Sequence, residues 1–249
     1  DCFVIHVEVP KRPFTKRGVL SVLHTVFDPL CFVSPVVLGG RLIQRQILPP
    51  QNKLTEELKK CDWDDPLPDE YAHKWQAWER SLNDLSTIKI PRCVVPVDFH
   101  DVKRELHIFA DASDDAIGYV CYVRSVNDEG NVHVAFLTAN SRVAPRAATS
   151  IPRLELCAAV EAALNGSRIS GELRNKPWSV TFYSDSSVTL AYIMNESRRF
   201  ARYVANRVAL IRSVSSPEQW CYVPTSQNPA DLASRAQTPS ELKNSIWLT

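Results

Sequence analysis

The chain has 249 residues, 45 % of them hydrophobic and 23 % charged, which describes a soluble globular protein with room for one large or two ordinary domains, each with its own core. A net charge of +1 excludes polyanion binding driven by overall charge, so any nucleic-acid surface must be a local patch. Seven cysteines, an odd number with no C-x-x-C pair, argue against a disulfide framework or a zinc site and for reduced thiols in an intracellular compartment.

The opening residues, "DCFVIHVEVP", read as the middle of a protein, which suggests an excised fragment with no signal peptide. No apolar run approaches the length of a membrane span. "SVLHTVFDPLCFVSPVVLGGRLIQRQI" reads as a helix, a D-P turn and a second helix. In "CDWDDPLPDEYAHKWQAWERSLNDL", Trp75, Trp78 and Leu82 recur at i, i+3 and i+7, an amphipathic helix whose aromatic stripe packs on a neighbour. Residues 1–100 carry 13 Lys/Arg against 13 Asp/Glu and no constellation of chemical groups, so structural support is the expected role. From 88 the texture changes to "IKIPRCVVPV", a proline-bearing linker or edge strand. A boundary is expected near residue 100.

Beyond it, strands are expected near 105–111, 116–124 and 131–139, then a helix over 152–172 and a strand at 178–184. A short helix follows Asp185, then an Arg-rich helix over about 199–213, a strand at 219–224 and a terminal helix begun by "NPADLASR". Three meandering strands followed by alternating helix and strand imply an α/β fold: a mixed five-stranded sheet with helices packed on it.

Four acids stand out by position. Asp111 ends an apolar run in "HIFADAS", and Asp185 follows another in "VTFYSDSS". Glu155 in "IPRLELCAAVEAAL" lies near a helix start beside its apolar face, and Asp231 in "NPADLASR" lies near another. Each has an ordinary reading: Asp111 as a solvated strand end, Asp185 as an N-cap, and Glu155 and Asp231 as first-turn acids favoured by the helix dipole. As a set they say more. If the first and fourth strands are neighbours, Asp111 and Asp185 end side by side, and both helix acids can reach the same place. Four converging carboxylates without basic partners repel one another and need cations; hard oxygen donors suit Mg²⁺ or Mn²⁺. Two such ions about 3.5–4 Å apart make the two-metal site of phosphodiester hydrolysis.

"FADAS", "LEL", "YSDSSV" and "NPADLASR", in that order, resemble the D-E-D-D signature of retroelement ribonuclease H domains. "SRVAP…SIPRLEL", "FARYVANRV" and "WCYVPTSQNPADLASR", with "TKRGVLSVLHTVFDPLCFVSP" and "CDWDDPLP" upstream, resemble the polyproteins of BEL/Pao-type LTR retrotransposons over nearly the whole chain. The resemblance implies a ribonuclease H-like domain over 101–249, preceded over 1–100 by a smaller, mostly helical region like a reverse-transcriptase thumb and connection. It implies cleavage of the RNA strand of RNA–DNA hybrids during reverse transcription. It implies two Mg²⁺ ions, with Mn²⁺ as substitute, held by Asp111, Glu155, Asp185 and Asp231. The implied partners are the hybrid and the palm and fingers of the same polyprotein, in the cytoplasm or in virus-like particles. Candidate substrate contacts are Ser113, Arg198, Arg199, Arg202, Asn206 and Arg207.

The sequence departs from the family at three positions. "TSQN" stands where many ribonucleases H carry a loop histidine before the last acid. Cys31 stands where relatives usually have glycine, and Asn140 where they have lysine. No Y-x-D-D is present, so the segment cannot itself copy nucleic acid.

"RRFARYVANRVALIR" carries five arginines and no acid. On a helical wheel Phe200, Val204, Val208 and Ile211 share one face, with Arg198, Arg202 and Arg212 off it and Arg207 on its other border. This is either a solvated basic face or a phosphate-gripping helix, which arginine's forked donors suit. An integrase would order its acids Asp, Asp, Glu, whereas here the glutamate stands between the aspartates. An aspartic peptidase needs Asp-Thr/Ser-Gly, and neither Asp111-Ala-Ser nor Asp185-Ser-Ser supplies the glycine. The remaining rival is a catalytically silent or domesticated module that keeps the fold for binding alone.

Overall fold

Cys2–Val4 (β1) pairs antiparallel with Lys89–Pro91 (β2), so the proline-bearing stretch does form an edge strand, a short one. The computed structural model describes residues 1–48, 58, 61–96, 99, 103–145 and 150–248; Val97 of the expected strand, His100 and part of the "SRVAP…SIPRLEL" junction lie outside them.

Three α-helices whose bounds fall among the described residues lie between β1 and β2. Thr15 caps Lys16–Leu23 (α1) by accepting the Gly18 N–H on its hydroxyl. After the expected turn comes Ser34–Ile47 (α2), with Pro35 in its first turn. Asp28 makes the turn: its carboxylate accepts the N–H groups of Phe32 and Val33 at 2.9 and 2.8 Å. Cys31, inside that turn, has φ +60°, the left-handed region that favours glycine. Asp69–Ser81 (α3) carries the aromatic stripe: Trp75 and Trp78 pack ring on ring at 4.9 Å, and Trp78 donates to the Val36 carbonyl. Leu82 continues the stripe in a following 3₁₀ turn and is buried.

Lys103–Ala112 (β3), Ala116–Val126 (β4) and Val132–Val143 (β5) form the meander. β4 is buried along nearly its whole length, as a central strand covered on both faces must be. Ile151–Glu172 (α4) crosses to Ser179–Ser184 (β6), which pairs parallel with β3. Ser187–Met194 (α5) and Arg202–Val214 (α6) cross to Trp220–Tyr222 (β7), parallel to β6. The sheet order is β5-β4-β3-β6-β7, the expected mixed five-stranded sheet. Ala230–Ser234 (α7) and Pro239–Lys243 (α8) end the chain as two five-residue helices, in place of the single terminal helix expected.

Each face of the sheet has its own core. One is built by α4, α5 and α6 on Leu106, Ile108, Cys121 and Phe182. Its alanines 158, 159, 162 and 163, with Gly166, let α4 lie close to the sheet; a Cβ on Gly166 would meet Ile108 Cδ1 at 2.5 Å. On the other face the helices before residue 82 share one core with Val120, Tyr122, Phe136, Ala230, Ala233 and Trp247. The described part of residues 1–100 therefore buries its apolar stripes against the sheet and the chain's last residues. Arg41 adds a polar tie, donating to the Ser141 carbonyl on β5 at 3.0 Å. Among the described residues no helix is long and apolar enough to cross a membrane, and all seven cysteines are free.

Candidate active site

The parallel register brings two acids together. Ala110 pairs with Ser184, so Asp111 on β3 and Asp185, just past β6, follow at the same end of neighbouring strands. The first and fourth strands of the five-stranded sheet, β3 and β6, are neighbours, the condition under which the two aspartates meet. Glu155 approaches from α4 and Asp231 from α7. The ordinary readings of two acids fail: the N-cap of α5 is Ser186 rather than Asp185, and Glu155 is the fifth residue of α4, beyond its first turn. Asp231 does lie in the first turn of α7.

Small polar groups hold these carboxylates. Ser234 donates its hydroxyl to Asp111 Oδ2, and Ser186 donates to Glu155 Oε2 while capping the Thr189 N–H. Asn228, 2 % exposed, donates its amide to the Ala110 carbonyl at 3.2 Å and accepts the Ala230 N–H at 3.1 Å. The residue just before the last acid's helix thus ties that helix to β3. Gly118 faces Asp111 across the β3–β4 ladder. A Cβ there would lie 2.4 Å from Ala233 Cβ, so only glycine lets α7 approach this closely. Sequence reasoning missed Ser186, Ser234, Asn228 and Gly118 as site residues. The signal was weak: each lies inside or beside the quoted motifs, but short polar residues and glycine next to an acid are common in any loop.

Asp111 is 7 % exposed. Burial pushes its carboxyl up to about 7; the Ser234 hydroxyl and the Ala112 N–H oppose the shift, and Asp185 and Asp231 add to it. Burial also raises Glu155, against the Ser186 hydroxyl and with help from Asp185. The four acids therefore feel one another's charge: Asp111 with Asp185 and Asp231, and Glu155 with Asp185. The expectation of no basic partner is corrected for Asp231. Its Oδ1 accepts from Arg235 Nε at 2.8 Å, one helical turn on, in a partly exposed pair. Among the described residues no group of three or more His, Cys, Asp or Glu side chains stands close enough to hold one ion. The donor chemistry nonetheless suits a hard divalent cation: oxygen ligands only, mutually repelling, and one of them buried.

Of the candidate substrate contacts, Ser113 is engaged within the protein. Its hydroxyl donates to the Ser234 carbonyl at 2.7 Å and accepts the Asp115 and Ala116 N–H groups. Contrary to the expected helix from about 199, Arg198 and Arg199 are not helical: they precede α6 in an exposed segment turned by Asn195, whose side chain accepts the N–H groups of Ser197 and Arg198. Phe200 also precedes the helix and packs edge-on against Tyr192, while Val204, Val208 and Ile211 face the core. Arg202 and Asn206 are exposed on α6. Arg207 lies 3.5 Å over the Tyr203 ring and donates to Cys157 Sγ; Arg153, two residues before Glu155, lies 4.9 Å over the same ring. Arg212 is structural, closing the end of α5 by donating to the Ile193 and Asn195 carbonyls.

The family model described as "Pao retrotransposon-like RNaseH-like domain" matches residues 15–186, which span Asp111, Glu155 and Asp185 and include most of the N-terminal helical part. No curated protein matches the chain. Among solved structures, ribonuclease H1 of Halobacterium salinarum is 11 % identical over 51 % of this chain and 90 % of its own, with a TM-score of 0.34. The N-terminal RNase H domain of a Mycobacterium tuberculosis protein is 11 % identical over 54 % and 94 %, with a TM-score of 0.36. Prototype foamy virus protease-reverse transcriptase is 11 % identical with a TM-score of 0.34; it aligns with 94 % of this chain, which spans only 27 % of the viral one. With a family match over 15–186 and the mixed sheet such a domain requires, the chain belongs to the Pao retrotransposon RNaseH-like family.

Proposed function

We propose that the chain is a metal-dependent endonuclease that hydrolyses the RNA strand of RNA–DNA hybrids during retrotransposon reverse transcription. One observation carries the reading: Asp111 and Asp185 end neighbouring parallel strands in register, and Glu155 and Asp231 are coupled to them by charge. Asp111, Glu155, Asp185 and Asp231 would hold the ions, taken as two Mg²⁺ or Mn²⁺. When bound, such ions lower the pKa of water and stabilise the departing oxygen of a phosphodiester.

The chain's own residues prepare the site. Ser234 and Ser186 fix one oxygen each of Asp111 and Glu155, leaving the other oxygen of each for a ligand. Asn228 and Gly118 set the height of α7 over β3 and hence the position of Asp231. With "TSQN" in place of the loop histidine, Asn228 is a structural tie. Arg202 and Arg207, joined by Arg153 on the Tyr203 ring, suit the phosphates of the hybrid, and Arg198 and Arg199 extend the same cationic edge. Residues 1–100 serve as the thumb- and connection-like region and 101–249 as the nuclease domain, working with the palm and fingers of the same polyprotein in the cytoplasm or virus-like particles.

The Arg235–Asp231 pair favours a second reading, a silent module that keeps the fold for binding, because a cationic neighbour there already neutralises one acid. Incubation of the chain with a labelled RNA–DNA hybrid and with duplex DNA in Mg²⁺ separates the two. The nuclease cuts the RNA strand of the hybrid and spares the duplex, since the 2′-hydroxyl and groove shape distinguish them. The silent module binds without cutting.

A further inference from the structure

The fold gathers cationic side chains that residues 1–100 hold apart in sequence. Arg41, Gln44 and Arg45 stand at i, i+3 and i+4 on α2 and so share one helix face. With His24 just past α1, and with Val143 and Pro145 at the end of β5, they line an open cleft of about 480 Å³. No carboxylate lines it among the described residues; Asp114 and Asp115 line the neighbouring opening instead, with Ser113 and Ser234. Arg41 donates to the Ser141 carbonyl at 3.0 Å, and Arg45 to the Asp115 carbonyl at 3.3 Å. Neither guanidinium has a carboxylate partner among the described residues. A guanidinium carries five N–H donors, so each keeps most of its own for a ligand while its carbonyl contact holds it in place.

The strand register sets the cleft's distance from the acids. Asp111 pairs with Gly118, and Gly118 with Ser141, so the carbonyl that anchors Arg41 lies two strands from Asp111, roughly 10 Å. Arg45 reaches the turn between β3 and β4, which begins just after Asp111. The arginines of α6 belong to the layer on the other face of the sheet. The acids at the sheet's end therefore stand between cationic side chains from both layers. We propose that the Arg41–Arg45 cleft binds the phosphate backbone of the RNA–DNA hybrid beyond the cleavage point, an assignment that rests on the nuclease reading above. At roughly 3.4 Å of rise per step, the 10 Å separation amounts to about three base pairs. Forked guanidinium donors suit phosphate oxygens, and two of them on one helix face follow a backbone rather than a single anion. The N-terminal helices thus bind substrate as well as support the sheet, and a chain of net charge +1 gains a second local patch.

The test is binding of a labelled hybrid to the full chain in chelator, where nothing is cut, over a range of salt concentrations. Arg41→Gln/Arg45→Gln keeps side-chain donors for the two carbonyls but loses both charges. It should weaken binding at low salt at least about tenfold and flatten the slope of log K against log salt by somewhat under two. Arg45→Gln alone, in case the double variant does not fold, should flatten it by somewhat under one. Arg174→Gln/Lys176→Gln removes the same charge from the loop before β6, at the opposite end of the sheet, and should leave the slope unchanged. An unchanged slope in the folded Arg41→Gln/Arg45→Gln chain overturns the proposal, and so does an equal loss in the Arg174→Gln/Lys176→Gln control, which would reduce the effect to overall charge. The two readings fail separately. Expected losses of binding with no cleavage in Mg²⁺ keep the cleft and remove the nuclease, and cleavage with an unchanged slope does the reverse.

Discussion

Ala110 and Ser184 are partners in the parallel β3–β6 ladder, and the residue after each is an aspartate at the same end of the sheet. This relationship turns a pattern in the sequence into a site. Two strands far apart in the chain end together, and their carboxylates share one electrostatic environment in which Asp111 is pushed up to about 7.

The first prediction follows from that value. A carboxyl raised from its ordinary position near 4 binds its proton more tightly folded than unfolded, so it contributes stability at low pH that is lost as pH rises through about 7. The chain in chelator should lose stability between pH 4 and 7, by up to roughly 4 kcal/mol from this group. Asp111→Asn removes the dependence, so at pH 7 the variant should melt several degrees above wild type. Denaturant unfolding across this pH range in both chains is the check, and parallel curves would dismiss the burial account of Asp111.

Gly118→Ala should loosen the site from behind. The new methyl collides with Ala233 at 2.4 Å, a backbone-bearing neighbour that cannot swing away. Overpacking of this kind costs about 1–3 kcal/mol. Displacement of α7 should also lower hydrolysis more than the stability loss alone accounts for. A variant with wild-type melting and wild-type rate would show that α7 has room to spare.

Cys31 tests a turn. At φ +60° a glycine is at ease and a β-branched residue is not. Cys31→Val should destabilise by about 1–2 kcal/mol. Cys31→Gly should stay close to wild type, because relief of the left-handed strain offsets the added unfolded-state entropy and the small side chain withdrawn from the core. The chemical-denaturation midpoints of the three chains decide it, and equal losses in the two variants would place the side chain, rather than the backbone, in control.

The cationic edge of α6 should show in salt dependence. Replacing Arg198, Arg199 and Arg202 with alanine removes three exposed charges, so folding should be unaffected. If each grips a phosphate, the slope of log K for hybrid against log salt flattens by about two to three. An unchanged slope in the folded variant assigns the grip to Arg153 and Arg207 on Tyr203 instead.

Much of this was legible in the sequence, and the reasons differ by element. The meander, α4 and β6 were readable because alternation and an apolar helical stripe are local signals; their observed bounds fall within a few residues of those expected. The start of α6 was misjudged because the wheel of apolar residues runs on through Phe200, whereas Asn195 turns the segment before the helix. That Asp185 yields the N-cap to Ser186 depends on which of two adjacent polar side chains points back at Thr189. The Arg235–Asp231 pair has ordinary i, i+4 spacing, but helical spacing alone does not say whether a side chain turns to its neighbour or to the cleft. The sharing of one core by the N-terminal helices and Trp247, whose indole donates to the Phe32 carbonyl, links residues 215 positions apart and left no local trace.

The central claim is that Asp111, Glu155, Asp185 and Asp231 act together as the metal-holding acids of a hybrid-specific nuclease. Its most direct test is cleavage of an end-labelled RNA–DNA hybrid by the wild-type chain and by Asp185→Asn, each shown folded by melting, with Mg²⁺ and with chelator. The account predicts RNA-strand cleavage by wild type in Mg²⁺, none in chelator, and a loss of at least about a hundredfold in Asp185→Asn, since its oxygen serves the ions the reaction depends on. Wild-type rates in the folded Asp185→Asn chain, or no Mg²⁺-dependent cleavage by the folded wild type, would contradict it.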